Sequence, residues 1–540
     1  MKLRTLLLAL VTAVTASAQT PWLHIYNTDA KEFKSAPASE ASITGFVGAS
    51  GKYTRMIANI RGVEERMNTD YVSKIVVGPN VPFIYITTEE SINDINDKTT
   101  EYAATIRVDG QGVVDDLPET AVTFRGRGNS TLNYPKKPYR LKFAEKTKLC
   151  GFRKAKSYVL LANYLDAALM RNFVACNVAE FVGMEYANHM KPVNVFLNGD
   201  YKGSYMLTEK VGFNNGSVDL SKEDEPNSIL LELDVTYDEA LQGVTANYQL
   251  PYLHKDPDAP ADPLEAKAWW QTWADDFQAL ETAVYNKDYA TIATMVDYEQ
   301  LAKYLIIFNV CCNQELNHPK SIYCWKTKGG KWMFGPAWDF DWAFGFEPTY
   351  RQVDTAADDQ EAKQKEHDEC LAYFKAKYGE DGWGSEEYNG TWVSYYYGEV
   401  YTYSREEGMQ VYPFGSVTYL PSYQAQLLGT GKNTGSNADN WQMGNGGEFF
   451  TDMVRGNEEF LKVYAEVWAR FEAQLTDFWA AFDAYKEELE PSAAYNDIQW
   501  GGSDSFDDSV KALRTWVRNR IKFIKEPANN YGLYPITQND

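Results

Sequence analysis

The chain has 540 residues, 44% of them hydrophobic and 14% aromatic, which is typical of a globular protein with about two to four domains and not of a disordered chain. The formal net charge of −23 argues against a nucleic-acid backbone as the main partner. The six cysteines are too few for a disulfide scaffold, and the lack of a C-x-x-C pair argues against a structural zinc site. One or two disulfides stay open, but Cys311 and Cys312 lie in an apolar run and are predicted to be buried free thiols.

Residues 1–18 have the pattern of a secretory signal. A basic start at Lys2 and Arg4 precedes the apolar run 6–11, and Ala16-Ser17-Ala18 is a typical cleavage sequence. The apolar run is far shorter than the ~20 residues of a transmembrane helix, and no later segment is apolar enough to be one. We therefore expect an exported chain, periplasmic, displayed on the cell surface or released, with no transmembrane segment.

The first half of the chain is rich in predicted strands. Residues 19–80 read as an irregular, strand-leaning lead-in. Alternation of apolar and polar residues predicts strands at 82–87 and 102–108. Asn198-Gly199 between two apolar runs is a strong signal for a β-hairpin. Further strands are predicted at 138–143, 192–197, 201–207 and 229–234.

The second half is mainly helical. A strand pair at 321–325 and 332–334 interrupts it, and residues 345–445, rich in tyrosine, glycine and acids, read as a long, partly helical insertion. Helical spacing of apolar residues predicts helices over about 167–181, 264–288, 297–312, 458–490 and 507–525.

A glycine-rich turn, Arg125-Gly126-Arg127-Gly128-Asn129-Ser130-Thr131, leads into a basic strand. Glycines let a backbone approach phosphate closely, and a strand lysine such as Lys142 is suited to phosphate oxygens. The turn has neither the Walker spacing nor the full protein-kinase pattern. Taken alone, a hairpin with a solvated basic face is the simpler interpretation.

The pair Asp339 and Asp341 follows the second strand of the predicted pair. Two carboxylates two residues apart can point the same way and hold a divalent cation together with phosphate oxygens. Turn and cap residues, or a calcium site without catalysis, explain the same pattern equally well.

The polar loop 313–321 lies between a predicted helix and this strand pair. Its Glu315 and Asn317 are the candidates to accept a proton or bind metal, whereas His318 alone is more often structural. Protein kinases place a catalytic loop and a metal-binding aspartate in this order. Earlier in the chain, Arg171 is expected to brace the phosphate site, and Glu209 lies where a kinase has its hinge, which is analogy only.

Five motifs in order resemble the CotH kinase family, named for spore coat protein H, and the resemblance runs from about residue 80 to 525. The motifs are Arg125-Gly126-Arg127-Gly128-Asn129-Ser130-Thr131 with Tyr134-Pro135-Lys136-Lys137-Pro138-Tyr139-Arg140; Leu160-Leu161-Ala162-Asn163 with Asp166 and Arg171-Asn172; Val195-Phe196-Leu197-Asn198-Gly199-Asp200-Tyr201-Lys202-Gly203-Ser204-Tyr205; Leu231-Glu232-Leu233-Asp234; and Gly335-Pro336-Ala337-Trp338-Asp339-Phe340-Asp341.

The resemblance implies an α+β, atypical bilobal protein-kinase-like fold with a strand-rich N-terminal lobe at 81–212 and a helical C-terminal lobe at 213–525, followed by a tail at 526–540. It also implies a monomeric secreted protein kinase that uses ATP and Mg²⁺, or Mn²⁺ or Ca²⁺, on an unknown protein substrate.

The resemblance also assigns site residues. Lys142 would contact the phosphates, Glu209 would border the adenine, and Asp339 and Asp341 would hold metal. From the motifs themselves, Arg127, Ser130 and Arg171 are predicted to serve the phosphates beside Lys142. The family usually has an aspartate in the polar loop, where this chain offers only Glu315 and Asn317, and this puts activity more than fold in question.

Two alternatives stay open at this stage. One is a kinase-like binding module in which the aromatic insertion docks a surface protein or a glycan. The other, a glycoside hydrolase with paired acids, is weaker. Its two carboxylates would have to stand ~5 Å or more apart on either side of a sugar, and Asp339 and Asp341 lie too close in the chain for this.

Overall fold

A computed structural model describes residues 22–27, 32–49, 52–78, 80–89, 92–93, 95–236, 239–317, 319–346, 349–353, 360–396, 398–404, 408–412, 417–425, 427, 445–501, 505–526 and 529–530. The predicted signal at 1–18, most of the predicted tail and His318 lie outside these residues. No helix in the described part is long and apolar enough to cross a bilayer.

Regular strands make up the segment predicted as an irregular lead-in. They form two three-stranded sheets, β2-β1-β6 and β3-β4-β5, which share a small core that includes Ile25, Met56 and Ala58. Buried residues alternate with exposed ones along these strands, and the buried ones pack into the shared core. The strands are short and contain many polar residues, so the sequence shows this alternation only weakly. The strands are β1 Trp22–Asn27, β2 Glu32–Pro37, β3 Ala41–Ala49, β4 Lys52–Ile60, β5 Val63–Asn68 and β6 Val72–Gly78.

Seven strands then close into a barrel in the order β10-β11-β13-β12-β7-β8-β9. All neighbours are antiparallel except β7 and β12, which pair in parallel and complete the circle. Inward-facing residues such as Ile84, Ile106, Phe124 and Leu141 fill the interior. The strands are β7 Phe83–Thr88, β8 Tyr102–Asp109, β9 Leu117–Gly126, β10 Tyr139–Thr147, β11 Ala155–Leu161, β12 Met190–Leu197 and β13 Asp200–Glu209.

A second sheet and the helices form the other half. The sheet has the order β15-β16-β14-β17-β18, and its strands are β14 Ser228–Leu233, β15 Gln242–Val244, β16 Pro251–Asp256, β17 Ile322–Thr327 and β18 Met333–Phe334. The helices are α1 Arg171–Phe181, α2 Pro263–Tyr285, α3 Tyr289–Met295, α4 Tyr298–Cys311, α5 Gln360–Tyr378, α6 Asn445–Val454, α7 Glu458–Ala473, α8 Leu475–Trp500 and α9 Phe506–Lys525. Helix α4 is almost entirely buried at the centre of this half.

The segment 458–490, predicted as one helix, belongs to two helices, because the helical conformation is interrupted at Gln474 between α7 and α8. All six cysteines are buried free thiols, as predicted for Cys311 and Cys312.

The insertion contains more strand than predicted. Helix α5 packs against a four-stranded sheet through a small core of its own that includes Phe374, Val393 and Tyr395. The sheet consists of β20 Trp383–Tyr388, β21 Thr391–Tyr396, β22 Glu399–Ser404 and β23 Gly408–Val411, while β19 Thr349–Val353 pairs with β24 Val417–Pro421.

The α+β class is confirmed, with strands first and helices after them. The expected bilobal kinase fold is not confirmed, and the strand-rich part is a closed barrel. The physical reason is the parallel pairing of β7 with β12, which leaves the sheet no open edge.

Asn198 secures this closure. It takes a left-handed conformation, with φ 51°, in the predicted Asn-Gly turn between β12 and β13. Its side-chain oxygen accepts the Thr88 N–H at 2.8 Å, and its amide donates to the Ile92 carbonyl at 2.9 Å. The hairpin turn is thereby bonded to the chain segment that leaves β7.

Asn198→Ala should lower the free energy of unfolding by about 1–3 kcal/mol, because it leaves buried partners unbonded and strains the turn. Urea denaturation measures this loss. The control is Asn389→Ala, since Asn389 has a similar φ of 47° in the exposed turn between β20 and β21. An equal loss in both variants would show that the bonds to Thr88 and Ile92 contribute nothing.

Candidate functional site

A cavity of about 560 Å³ lies between the barrel and the second sheet. Its walls come from the turn after β9, the end of β11, the loop after β14, and the loops on either side of the β17–β18 pair. Of the predicted site residues, Arg127, Ser130, Glu315, Asp339 and Asp341 line it together.

Close packing explains the glycines of the turn after β9. A Cβ atom at Gly126 would lie 2.5 Å from the Asp97 carbonyl oxygen, and one at Gly128 would lie 2.2 Å from the Thr131 hydroxyl. Gly128 also has a φ of +85°, which favours glycine. The Arg127 N–H donates to the Pro138 carbonyl at 3.1 Å and closes the turn. The turn is therefore a fixed rim, with Arg127 and Ser130 directed into the cavity wall.

Arginine supplies the cations of this wall. Arg125, Arg127 and Arg140 all line the cavity, and the Arg127 guanidinium lies 5.4 Å from the ring centre of Trp338. Burial, and next the charge of Arg125, lowers the pKa of Arg140. Lys142 lies two residues further along β10, is exposed and does not line the cavity. Arg140 thus occupies the place predicted for Lys142.

The carboxylate loop, residues 338–344, forms the opposite wall. Asp339 has a φ of 64°, uncommon for a residue with a side chain, and Asn313 fixes it by donating to its carbonyl at 2.9 Å. Asn172, from the second position of α1, accepts the Phe340 N–H at 2.8 Å and donates to the Asp341 carboxylate. The loop is therefore fixed between α1 and the end of α4.

Arg171 braces this loop but does not line the cavity. Its guanidinium donates to the Ala343 carbonyl and pairs with Asp166 at 3.3 Å. The predicted bracing role agrees with this placement, although the contact is with the carboxylate loop.

Three acids meet at this wall with raised pKa values. Burial, and next the charge of Asp339, raises the pKa of Asp341 to about 7. Burial also raises the pKa of Asp339, against the lowering effect of Arg127 and Lys320. For Glu315, burial and then Asp339 raise the pKa well above its usual range. These groups gain from a cation placed among them.

The acids fit an open divalent site. In the described part of the chain, no group of three or more acidic, histidine or cysteine side chains stands close enough to enclose a metal. Mg²⁺ needs only one or two carboxylates beside phosphate oxygens and water. The buried Oε2 atom of Glu315 has no hydrogen-bond partner, which is a costly state that a ligand would relieve.

The end of β14 adds acids that the sequence interpretation left without a role. Glu232 accepts the Tyr323 hydroxyl at 2.6 Å and pairs with Lys255 at 2.9 Å, and Asp234 also lines the cavity. Burial, and next Glu232, raises the pKa of Asp234. The sequence signal that could have identified these two acids is the Leu-Glu-Leu-Asp pattern, in which acids alternate with leucines at the end of an apolar strand.

Two predicted residues lie elsewhere. Glu209 is fully buried outside the cavity, where its carboxylate accepts the His189 N–H at 2.9 Å and contacts the His189 ring at 2.8 Å. Its neighbours Lys210 and Val211, which follow the end of β13, line the cavity instead. Asn317 is buried, its backbone carbonyl accepts the Gly446 N–H, and it does not line the cavity.

Lys136 is a buried cation at the back of the cavity. Its ammonium donates to the Asn496 side chain at 2.7 Å and to the Ser204 carbonyl, and lies 4.8 Å from the ring centre of Tyr205. Burial lowers its pKa to about 7. Asn496 comes from α8, so a C-terminal helix holds the ammonium of this cavity residue.

The sequence profile of the family described as CotH kinase protein matches residues 124–375. The match contains every cavity residue from the glycine-rich turn to the carboxylate loop, but ends before Asn496. No curated protein sequence matches the chain.

Lys136→Met should flatten the pH dependence of stability between about pH 7 and 10. The folded wild type binds fewer protons than the unfolded chain in this window, so its free energy of unfolding should rise with pH by up to about 1.4 kcal/mol per unit from this group. Urea denaturation across the window measures the slope in both proteins. Lys137→Met, at the partly exposed neighbour, should keep the wild-type slope, and an unchanged slope in Lys136→Met would contradict the prediction.

Proposed function

Because the chain carries a CotH kinase family domain over residues 124–375, we propose that it is an exported phosphotransferase that moves the γ-phosphate of ATP to a hydroxyl of a protein substrate. One observation carries the proposal: arginines and a group of acids with raised pKa values face each other across a single cavity. Phosphoryl transfer depends mainly on positioning and charge, which this arrangement offers. In this proposal the barrel and the helical half act as the two lobes of a kinase.

The phosphates belong with the rim of the turn. Arg127 and Arg140 carry the charge that phosphate oxygens need, and the Ser130 hydroxyl adds a donor beside them. The base fits between Val159 and Val211, which line the cavity and belong to one apolar cluster. In this proposal Val159 and Val211 contact the adenine, the role that the sequence predicts for Glu209.

Asp339 and Asp341 would hold the divalent cation, Mg²⁺ or alternatively Mn²⁺ or Ca²⁺. Such an ion supplies charge neutralisation for the phosphate oxygens. Asn172 orients the Asp341 carboxylate, and Asn313 orients the backbone of Asp339, so the chain presents both acids in fixed positions.

Glu315 would accept the proton of the acceptor hydroxyl. It lines the cavity beside both aspartates and has one oxygen atom without a partner, while Lys320 lies 4.0 Å from the other. A raised pKa makes a carboxylate a stronger base. This is the role that the usual aspartate of the family would otherwise fill.

Asp339→Asn should lower phosphate transfer by about 100-fold or more, because it removes charge where the proposed mechanism needs it most. The assay is transfer from radiolabelled ATP to the chain itself and to a general acceptor protein. Asp115→Asn, at an exposed side chain paired only with Lys148, is the control and should behave as wild type. Equal transfer by all three proteins would remove Asp339 from the mechanism.

Asn172→Ala should reduce kcat by about 100-fold with a smaller effect on nucleotide affinity, because the Asp341 carboxylate loses its orientation. Steady-state kinetics and a nucleotide titration separate the two effects. Asn177→Ala removes another buried asparagine of α1, one bonded to the Phe478 carbonyl and directed away from the cavity. If both variants lose the same activity, the effect comes from a general loss of stability.

A binding module remains the second candidate, favoured by the aromatic face of the insertion. Trp383 and Trp392 on β20 and β21 are 75% and 62% exposed, which suits the docking of a surface protein or a glycan. Thermal unfolding with and without ATP and Mg²⁺ separates the candidates, because only the kinase should be stabilised.

A further inference from the structure

Three apolar side chains border the cavity mouth on the side of the acids. Trp342 directly follows Asp341 and is 50% exposed, while Tyr164 and Leu165, in the loop after β11, are 38% and 40% exposed. All three line the cavity that holds Asp339 and Asp341. We call these three residues the apolar edge.

The apolar edge is fixed in place by its neighbours. Trp342 stacks on Phe346 with a ring-centre distance of 5.7 Å and an angle of 2°, and Tyr164 stacks on Tyr134 at 5.5 Å. Arg171 ties the two loops together, because its guanidinium donates to the Ala343 carbonyl and pairs with Asp166. A rigid surface of this kind loses little conformational entropy when it binds.

The nucleotide does not need the apolar edge. In the proposed function the base lies at Val159 and Val211 and the phosphates lie at the arginines, which leaves the edge beside the acids on the acceptor side. Exposed apolar groups at the mouth of a polar cavity mark a binding surface. The apolar edge combines the aliphatic Leu165 with two aromatic side chains, which suits a protein side chain better than a sugar ring.

Charge restricts the acceptor further. Asp341 lies next to Trp342, and Glu315 lines the same cavity. The edge itself carries no charge, and the cations beside it, Lys320 and Arg171, already face Glu315 and Asp166, so an acidic residue of an acceptor would meet repulsion. The surface therefore suits an uncharged bulky side chain.

We propose that the apolar edge selects the acceptor: it takes a bulky apolar side chain of a polypeptide segment next to the hydroxyl that receives phosphate. Trp342 is then a specificity residue, and the substrate class is a polypeptide with leucine or an aromatic residue beside serine or threonine. This inference rests on the proposed function.

The test uses the full chain and serine peptides that differ only in the residue after serine, which is leucine, phenylalanine, glycine or glutamate. Wild type should phosphorylate the leucine and phenylalanine peptides with kcat/KM about tenfold or more above the glycine peptide, as expected for an apolar pocket. Trp342→Ala and Leu165→Ala should lose this preference through a higher KM for peptide. Leu264→Ala, at a leucine of α2 that is 79% exposed and does not line the cavity, is the matched control for Leu165→Ala and should keep the preference.

ATP–Mg²⁺ affinity, measured by calorimetry on the same proteins, separates the possible failures. Unchanged affinity in Trp342→Ala together with a lost preference supports the inference. A large loss of ATP affinity in Trp342→Ala would assign the ring to the base and overturn it. Nucleotide binding without transfer to any peptide, or transfer without a preference, would overturn it and leave nucleotide binding in place. A wild type that binds no nucleotide would instead overturn the proposed function.

Discussion

The hydrogen bonds of Asn172 determine where the acids of the cavity lie. This one side chain accepts the Phe340 N–H and donates to the Asp341 carboxylate, so it fixes backbone and side chain of the carboxylate loop together. Arg171 and Asn313 hold the loop at its two ends. With the loop fixed, the acids stay buried and close together, and burial first and the charge of Asp339 second raise the pKa values of Asp341 and Glu315.

The periodicity of apolar residues predicts most of the individual strands and helices, but it does not predict that the strands close into a barrel. Alternating apolar residues predict the strands around Ile84, Ile106 and Leu141, and Asn198-Gly199 predicts its hairpin, because both are local signals. The barrel depends on the pairing of β7 with β12, two segments about a hundred residues apart, and no local pattern encodes such a partner. The N-terminal sheets were underestimated for the same reason, since their short strands are stabilised by packing rather than by propensity.

The candidate site was predictable where the chemistry is concentrated in one motif. Arg127, Asp339 and Asp341 stand in distinctive turns, and the sequence predicts a site role for each of these three residues, all of which line the cavity. Lys142 and Glu209 were misplaced because a strand fixes which face a residue occupies but not how far along the strand the cavity extends. Glu232 and Asp234 were overlooked, since a pair of acids at a strand end has many ordinary explanations.

The contact between Lys136 and Asn496 shows which part of the chain must fold together. The segment that matches the family ends at residue 375, whereas the ammonium of Lys136, which lines the cavity, is bonded by Asn496 of α8. Shortened to the matching segment, the chain would expose its own buried ammonium group and part of its apolar interior to water. The segment that matches the family profile is thus smaller than the segment that must fold as one, and a chimaera built on residues 124–375 should fold only when it also carries the terminal helices.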